Sequence, residues 1–191
     1  MIELRVGREG MVMVNMGVPE FNPPAIPFAA DRRKDVYTVD VDGQTVELSA
    51  LSMGNPHGVL LVEDVDQAPV ETLGPKLERH PRFPARANIG FLQILDRTHV
   101  RLRVFERGSG ETLACGSGAC AAVVAGCLRG LLDARVEVEL RGGPLVIEWQ
   151  GEGTPVMMEG PATSVFEGQL RLPGDSGGRR RRSARPHKQR S

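Results

Sequence analysis

The chain has 191 residues, 40% of them hydrophobic and 25% charged, a composition that fits an ordinary globular protein of one or two domains. Its 24 basic residues balance 24 acidic ones, yet seven of the basic residues and a single acid fall in residues 174–191, so an acidic body precedes a basic tail. No apolar run reaches the length of a membrane span and Met1-Ile2-Glu3-Leu4-Arg5 lacks the apolar stretch of a secretory leader, so the three cysteines are expected to be free thiols in the cytoplasm, with no membrane partner.

Residues 2–6 and 11–16 read as the two strands of a hairpin joined by Gly-Arg-Glu-Gly. The proline-rich stretch 22–27 reads as a linker or extended loop. Segments 36–41 and 45–51 flank Asp42-Gly43, a dipeptide suited to the positive φ angles of a type I′ turn, and predict a second hairpin. A strand over 57–62 follows. Residues 69–80 can form a helix starting at Pro69, with Gly74-Pro75 as an interruption. Segments 88–95 and 99–105 are predicted strands.

Residues 117–129 form the strongest predicted helix. Ala, Val, Cys and Leu occupy almost every face of it, and a helix apolar all round must be buried all round. Four further strands are predicted at 136–140, 145–149, 156–159 and 164–172. Many strands and one wholly buried helix describe an α+β fold in which a sheet wraps around that helix. The tail beyond residue 174, with Arg179 to Arg182, has no periodicity and is expected to be disordered. No aromatic residues interleave its charges, so no nucleic-acid partner is expected.

Chemistry concentrates at Cys115. It stands where a Gly-rich turn enters the apolar helix, at the positive end of the helix dipole, a position that favours thiolate over thiol. The N–H groups of Gly116, Ser117 and Gly118 lack intrahelical acceptors there and are available to a carboxylate. A thiolate beside a carboxylate cradle is what abstraction of an α-proton from an amino acid needs. Cys120 and Cys127, seven apart on an apolar helix, read as core. Glu106-Arg107, at a strand end before the Gly loop, can tune a thiol and grip a substrate carboxylate. His57, a usual proton-transfer side chain, is a candidate too, though its Gly-Asn-Pro context reads first as an ordinary turn, and Asn88 can place an amide at the same mouth or cap a loop. The cysteine spacing lacks a CxxC pair and the histidines are scattered, so no metal site is expected.

Four blocks in order, Asn-Met-Gly-Val-Pro at 15–19, Met-Gly-Asn-Pro-His-Gly at 53–58, Phe-Pro-Ala-Arg-Ala-Asn-Ile-Gly-Phe at 83–91 and the Glu-Arg-Gly and Ala-Cys-Gly-Ser-Gly-Ala-Cys-Ala motifs within 106–121, resemble the diaminopimelate epimerases. The resemblance implies an isomerase of lysine and peptidoglycan precursor synthesis. It implies a cofactor-independent enzyme, without pyridoxal phosphate or metal, that interconverts LL- and meso-diaminopimelate with two opposed cysteines. It makes Cys115 one of these bases, with Gly116 and Ser117 holding the carboxylate at the reacting centre. Asn55, Asn88 and Arg107 would bind the distal end of the substrate, and Glu106 and His57 would contribute to substrate contact and thiol protonation.

The family's first domain, with the other cysteine, is not matched. The resemblance therefore implies residues 1–15 as strands of a missing N-terminal domain, 16–160 as a complete domain, 161–172 as a strand returning to the missing one, and 173–191 as the tail. A complementing N-terminal half or a homodimer is an expected partner. The alternatives are a non-catalytic remnant or interaction module, and a related racemase such as proline racemase.

Overall fold

The computed structural model describes residues 4–6, 10–163 and 165–170. Its elements in chain order are β1 (Leu4–Val6), β2 (Met11–Asn15), β3 (Tyr37–Val41), β4 (Gln44–Ser52), β5 (Pro56–Leu61), α1 (Val70–Glu78), β6 (Asn88–Ile94), β7 (His99–Glu106), β8 (Gly110–Thr112), α2 (Gly116–Leu128), β9 (Arg135–Leu140), β10 (Gly143–Glu148) and β11 (Met157–Pro161). The strands join in the order β1-β2-β11-β10-β9-β7-β6-β5-β4-β3, with β8 pairing β7.

Most neighbours are antiparallel hairpins, among them β3–β4, whose turn has Asp42 at φ 54° and Gly43 at φ 80°, as the sequence predicts. Two pairs are parallel, β5–β6 and β7–β9. Parallel neighbours need a crossover, and each crossover carries one helix. The α1 crossover packs on β6, β7 and β8, whereas α2 contacts β4, β5, β6, β7 and β10.

The α+β reading holds: the sheet curls around α2. Residues 118 to 126 of that helix are all buried, against Leu92, Leu102, Val104, Val136, Val138 and Ile147 from the strands. A second cluster on the other side gathers Ile26, Phe28, Tyr37, Val39, Leu48, Phe83, Ile89 and Phe91 with Val70 and Leu77 of α1. The α2 helix stops at Gly130, where φ 69° allows the N–H of Gly130 to reach Cys127 O (2.9 Å) and that of Leu131 to reach Gly126 O (2.9 Å), a Schellman closure.

Three expectations change. The stretch at 22–27 is a run of turns rather than a linker, because Ile26 is fully buried and anchors it in the second core. Helix α1 runs through Gly74-Pro75. A Cβ at residue 74 would lie 2.8 Å from Phe105, so the glycine lets helix and strand approach closely. Residues 165–170 are not in a strand, correcting the strand predicted over 164–172; residues 164, 171 and 172 lie outside the described residues, as does the predicted disordered tail, 173–191. Strand β2 forms the predicted pair with β1 and gains a second neighbour. It pairs with β1 on one side and with β11 on the other, Met11 opposite Pro161 and Asn15 opposite Met157.

Candidate active site

Cys115 is the residue that caps α2. Its backbone is extended (φ −138°, ψ 103°), and its carbonyl takes the first helical bond, from Ala119 N–H at 2.9 Å. Cys115 as a whole is 6% exposed, and its thiol lies 3.7 Å from the Ser117 hydroxyl. Gly118 packs directly beneath it, since a Cβ there would come within 3.2 Å of the sulfur.

Burial pushes the Cys115 thiol above its ordinary range. The Gly118 N–H and the Ser117 hydroxyl oppose that shift, and the Glu106 carboxylate adds to it. The expectation that the helix terminus leaves this cysteine ionised is therefore corrected: the thiol rests protonated at neutral pH. Cys120 and Cys127, read as core, have thiols pushed up to about 12 and about 11, mainly by burial. Cys127 also donates to Asp133 O at 3.2 Å.

A line of polar contacts runs from β5 to the sulfur. His57 Nε2 meets Asn55 Oδ1 at 3.0 Å, and Asn55 Nδ2 donates to Ser117 Oγ at 3.4 Å. An amide oxygen only accepts, so the His57 proton sits on Nε2. The imidazole is 1% exposed. Burial, with help from the Arg107 charge, lowers it to about 3, so it is neutral at ordinary pH. Its place is under Asn55, which a Gly-Asn-Pro turn presents at the start of β5.

A second set of contacts fixes the turn after β7. Asn88, 4% exposed, sits opposite His57 in the parallel β5–β6 pair. Its Nδ2 donates to Pro56 O at 3.3 Å and its Oδ1 accepts the Arg107 N–H at 2.9 Å. The exposed Arg107 guanidinium donates to Ala85 O at 3.2 Å. The half-buried Glu106 carboxylate accepts from the Thr112 hydroxyl on β8. The turn thus brings Glu106 and Arg107 to the same place as Cys115, Gly116, Ser117, Asn55, His57 and Asn88.

Two features escape the sequence reading. Strand β8 is three residues within a Gly loop, too short for any periodicity. Glu78, at the end of α1, is 1% exposed and accepts the Gly108 N–H at 3.0 Å. Its only sequence signal is a charged residue falling on the buried face of a helix. A cavity of about 690 Å³ lined by Arg32, Lys34, Tyr37 and Arg82 shares no residue with this cluster. Among the described residues no group of three His, Cys, Asp or Glu side chains is gathered to hold a metal ion, and no helix is long and apolar enough to cross a membrane.

Residues 49–165, which carry every side chain of this cluster, match the family described as diaminopimelate epimerase. The chain belongs to that family. It is 64% identical over 171 residues to the diaminopimelate epimerase of Ectopseudomonas mendocina (strain ymp), covering 90% of this chain and 62% of that protein. Over the same shares it is 60% identical to that of Stutzerimonas stutzeri (strain A1501). The chain thus spans 62% of the length of these family members. Among solved structures, a hydroxyproline epimerase from Agrobacterium vitis with bound trans-4-hydroxy-L-proline superposes with a TM-score of 0.60. The two are 14% identical, over 84% of this chain and 54% of the other. A probable proline racemase from Agrobacterium radiobacter K84 gives 0.58 at 17% identity, over 92% and 59%. At such identities the likeness is one of fold.

Proposed function

We propose that this chain supplies the Cys115 half of a diaminopimelate epimerase. The observation that carries the reading is a buried, protonated thiol at the N-terminus of α2, with the Glu106 carboxylate beside it and a polar line leading away through Ser117 and Asn55. A base on the opposite face removes the α-proton, and the electron pair stays on the α-carbon. The Cys115 S–H bond then breaks as a new C–H bond forms on the other face. The thiolate left behind is supported by the Gly118 N–H, the Ser117 hydroxyl and the helix dipole. In the reverse direction that thiolate is the base, and the proton it collects restores the resting state.

Glu106 tunes this equilibrium directly, and His57 acts through Asn55 and Ser117. Gly116 and Ser117 receive the carboxylate at the reacting centre, while Asn55, Asn88 and Arg107 take the distal end of the substrate. Cys120 and Cys127 lie in α2 with thiols too hard to ionise for the opposite base. That base comes from the part of the family's length that this chain does not span, on the same or a complementing polypeptide, or from a second copy of the chain. We read residues 16–160 as the unit that carries the site, with 1–15 and 161–172 shared with the other unit. The exposure of Leu4 (60%) and Val6 (80%) on β1 supports this division. Three unpaired cysteines suit a cytoplasmic setting.

Turnover of LL-diaminopimelate by the 191-residue chain, alone and mixed with a segment covering the unmatched part of a relative, tests the proposal. Turnover is expected in the mixture, with Cys115→Ala abolishing it. Turnover that survives Cys115→Ala would refute the assignment. A mixture that binds but never turns over would favour an interaction module.

A further inference from the structure

The geometry points to Glu78 as a positioning residue that sets the substrate-recognition turn at Arg107 and Gly108, an inference that rests on the proposed epimerase site. A carboxylate with 1% exposure is costly to bury unless its oxygens are matched by donors. Glu78 is matched by groups from two loops at once. Oε1 accepts the Gly108 N–H at 3.0 Å and lies 3.7 Å from the Arg86 guanidinium, and Oε2 accepts from Arg79 Nε at 3.0 Å. The Glu78 backbone carbonyl accepts the Ala87 N–H at 3.2 Å. One residue therefore ties the segment leading into Asn88 to the turn carrying Glu106 and Arg107.

The grip on the turn is double. Consecutive amides, those of Arg107 and Gly108, go to Asn88 Oδ1 and Glu78 Oε1. Gly108 is at φ 78°, so the chain reverses there, and the direction of that reversal sets where the Arg107 side chain leaves the backbone. The α1 end that presents Glu78 is itself fixed by the close approach of Gly74 to Phe105 on β7. A carboxylate is the stronger of the two acceptors. Glu106 is held independently, through its pairing with Gly110 and its bond to Thr112, so Glu78 governs recognition by Arg107 and leaves the thiol chemistry alone.

The test compares wild type, Glu78→Ala and Glu78→Gln by amide hydrogen exchange, diaminopimelate affinity and the pH profile of Cys115 alkylation. In Glu78→Ala, exchange at Gly108 is expected to rise and affinity to fall, each about tenfold, as for loss of a charge-assisted hydrogen bond. The amide oxygen of Glu78→Gln still accepts the Gly108 N–H, so this variant should recover most of both effects. The Cys115 profile should stay unchanged in both. Unchanged Gly108 exchange in a folded Glu78→Ala, equal losses in the two variants, or a displaced Cys115 profile would overturn the inference. Should Glu78→Ala unfold, Glu78→Asp, one methylene too short to reach both loops, takes its place with the same expectations. Failure of the wild type to bind diaminopimelate would instead sink the proposed function, and Gly108 exchange would still decide the role of Glu78.

Discussion

Gly118 and Cys115 share a space with room for one side chain. A Cβ on Gly118 would lie 3.2 Å from the Cys115 sulfur and 3.0 Å from Val104 Cγ2. Alanine is the better helix former by about 1 kcal/mol, but overpacking a filled site costs about 1–3 kcal/mol. Gly118→Ala is therefore expected to lose about 1 kcal/mol net in urea unfolding, against the helix propensity, and to displace the thiol from the helix terminus. A stabilised variant would show that the contact relaxes freely.

The raised Cys115 thiol predicts slow alkylation by iodoacetamide at pH 7, with the rate climbing as pH rises. Glu106→Gln removes a negative charge that opposes ionisation, so the climb should move to lower pH. Cys120 and Cys127, at about 12 and about 11, should label more slowly throughout in the native state. A profile unmoved by Glu106→Gln would separate that carboxylate from the thiol.

His57 makes stability depend on acid. Its folded value of about 3 lies below the ordinary 6.5, so the folded state binds fewer protons than the unfolded one. The contribution is fully present above pH 6.5 and is lost progressively as pH falls from there through about 3, at most on the order of a few kcal/mol. His57→Gln should flatten urea midpoints across this window. An equally steep decline in that variant would assign the acid sensitivity to other groups.

Strand pairing predicts the order of hydrogen exchange. Amides of α2 should be the most protected, since residues 118 to 126 are buried. Those of β2, bonded on both edges, should outlast those of β1, which is an edge strand with every residue exposed. Equal protection of β1 and α2 in a monomer would mean that something covers the edge.

The central helix was legible because no polar residue interrupts it, and burial on all faces follows from that alone. Cys115 was legible as a helix cap, yet its protonation was not. The cap is written in adjacent residues, whereas desolvation and the Glu106 charge come from the fold closing over it. Asn55 was found through a motif block rather than physics, since an isolated asparagine reads equally as a turn, whereas Arg107 was marked by its place at a strand end before the Gly loop. Glu78 was missed because Gly74-Pro75 made the helix carrying it look broken. The strand predicted at 164–172 rested on apolar residues such as Val165 and Phe166, which are 87% and 86% exposed. Apolar composition without a surface to cover does not make a strand.

The pairing of β2 with β11 also governs how the protein is made. Met11–Asn15 is among the first described segments to be synthesised, and its partner Met157–Pro161 is among the last. At about 5–20 residues per second, β2 waits on the order of ten seconds before β11 leaves the ribosome. Through that interval the Met-Val-Met-Val run holds an open edge in a crowded nascent chain, where any other extended strand can take the place of β11. Closing this seam is thus the last strand pairing that the described residues complete, directly after Ile147 and Val156 join the core around α2.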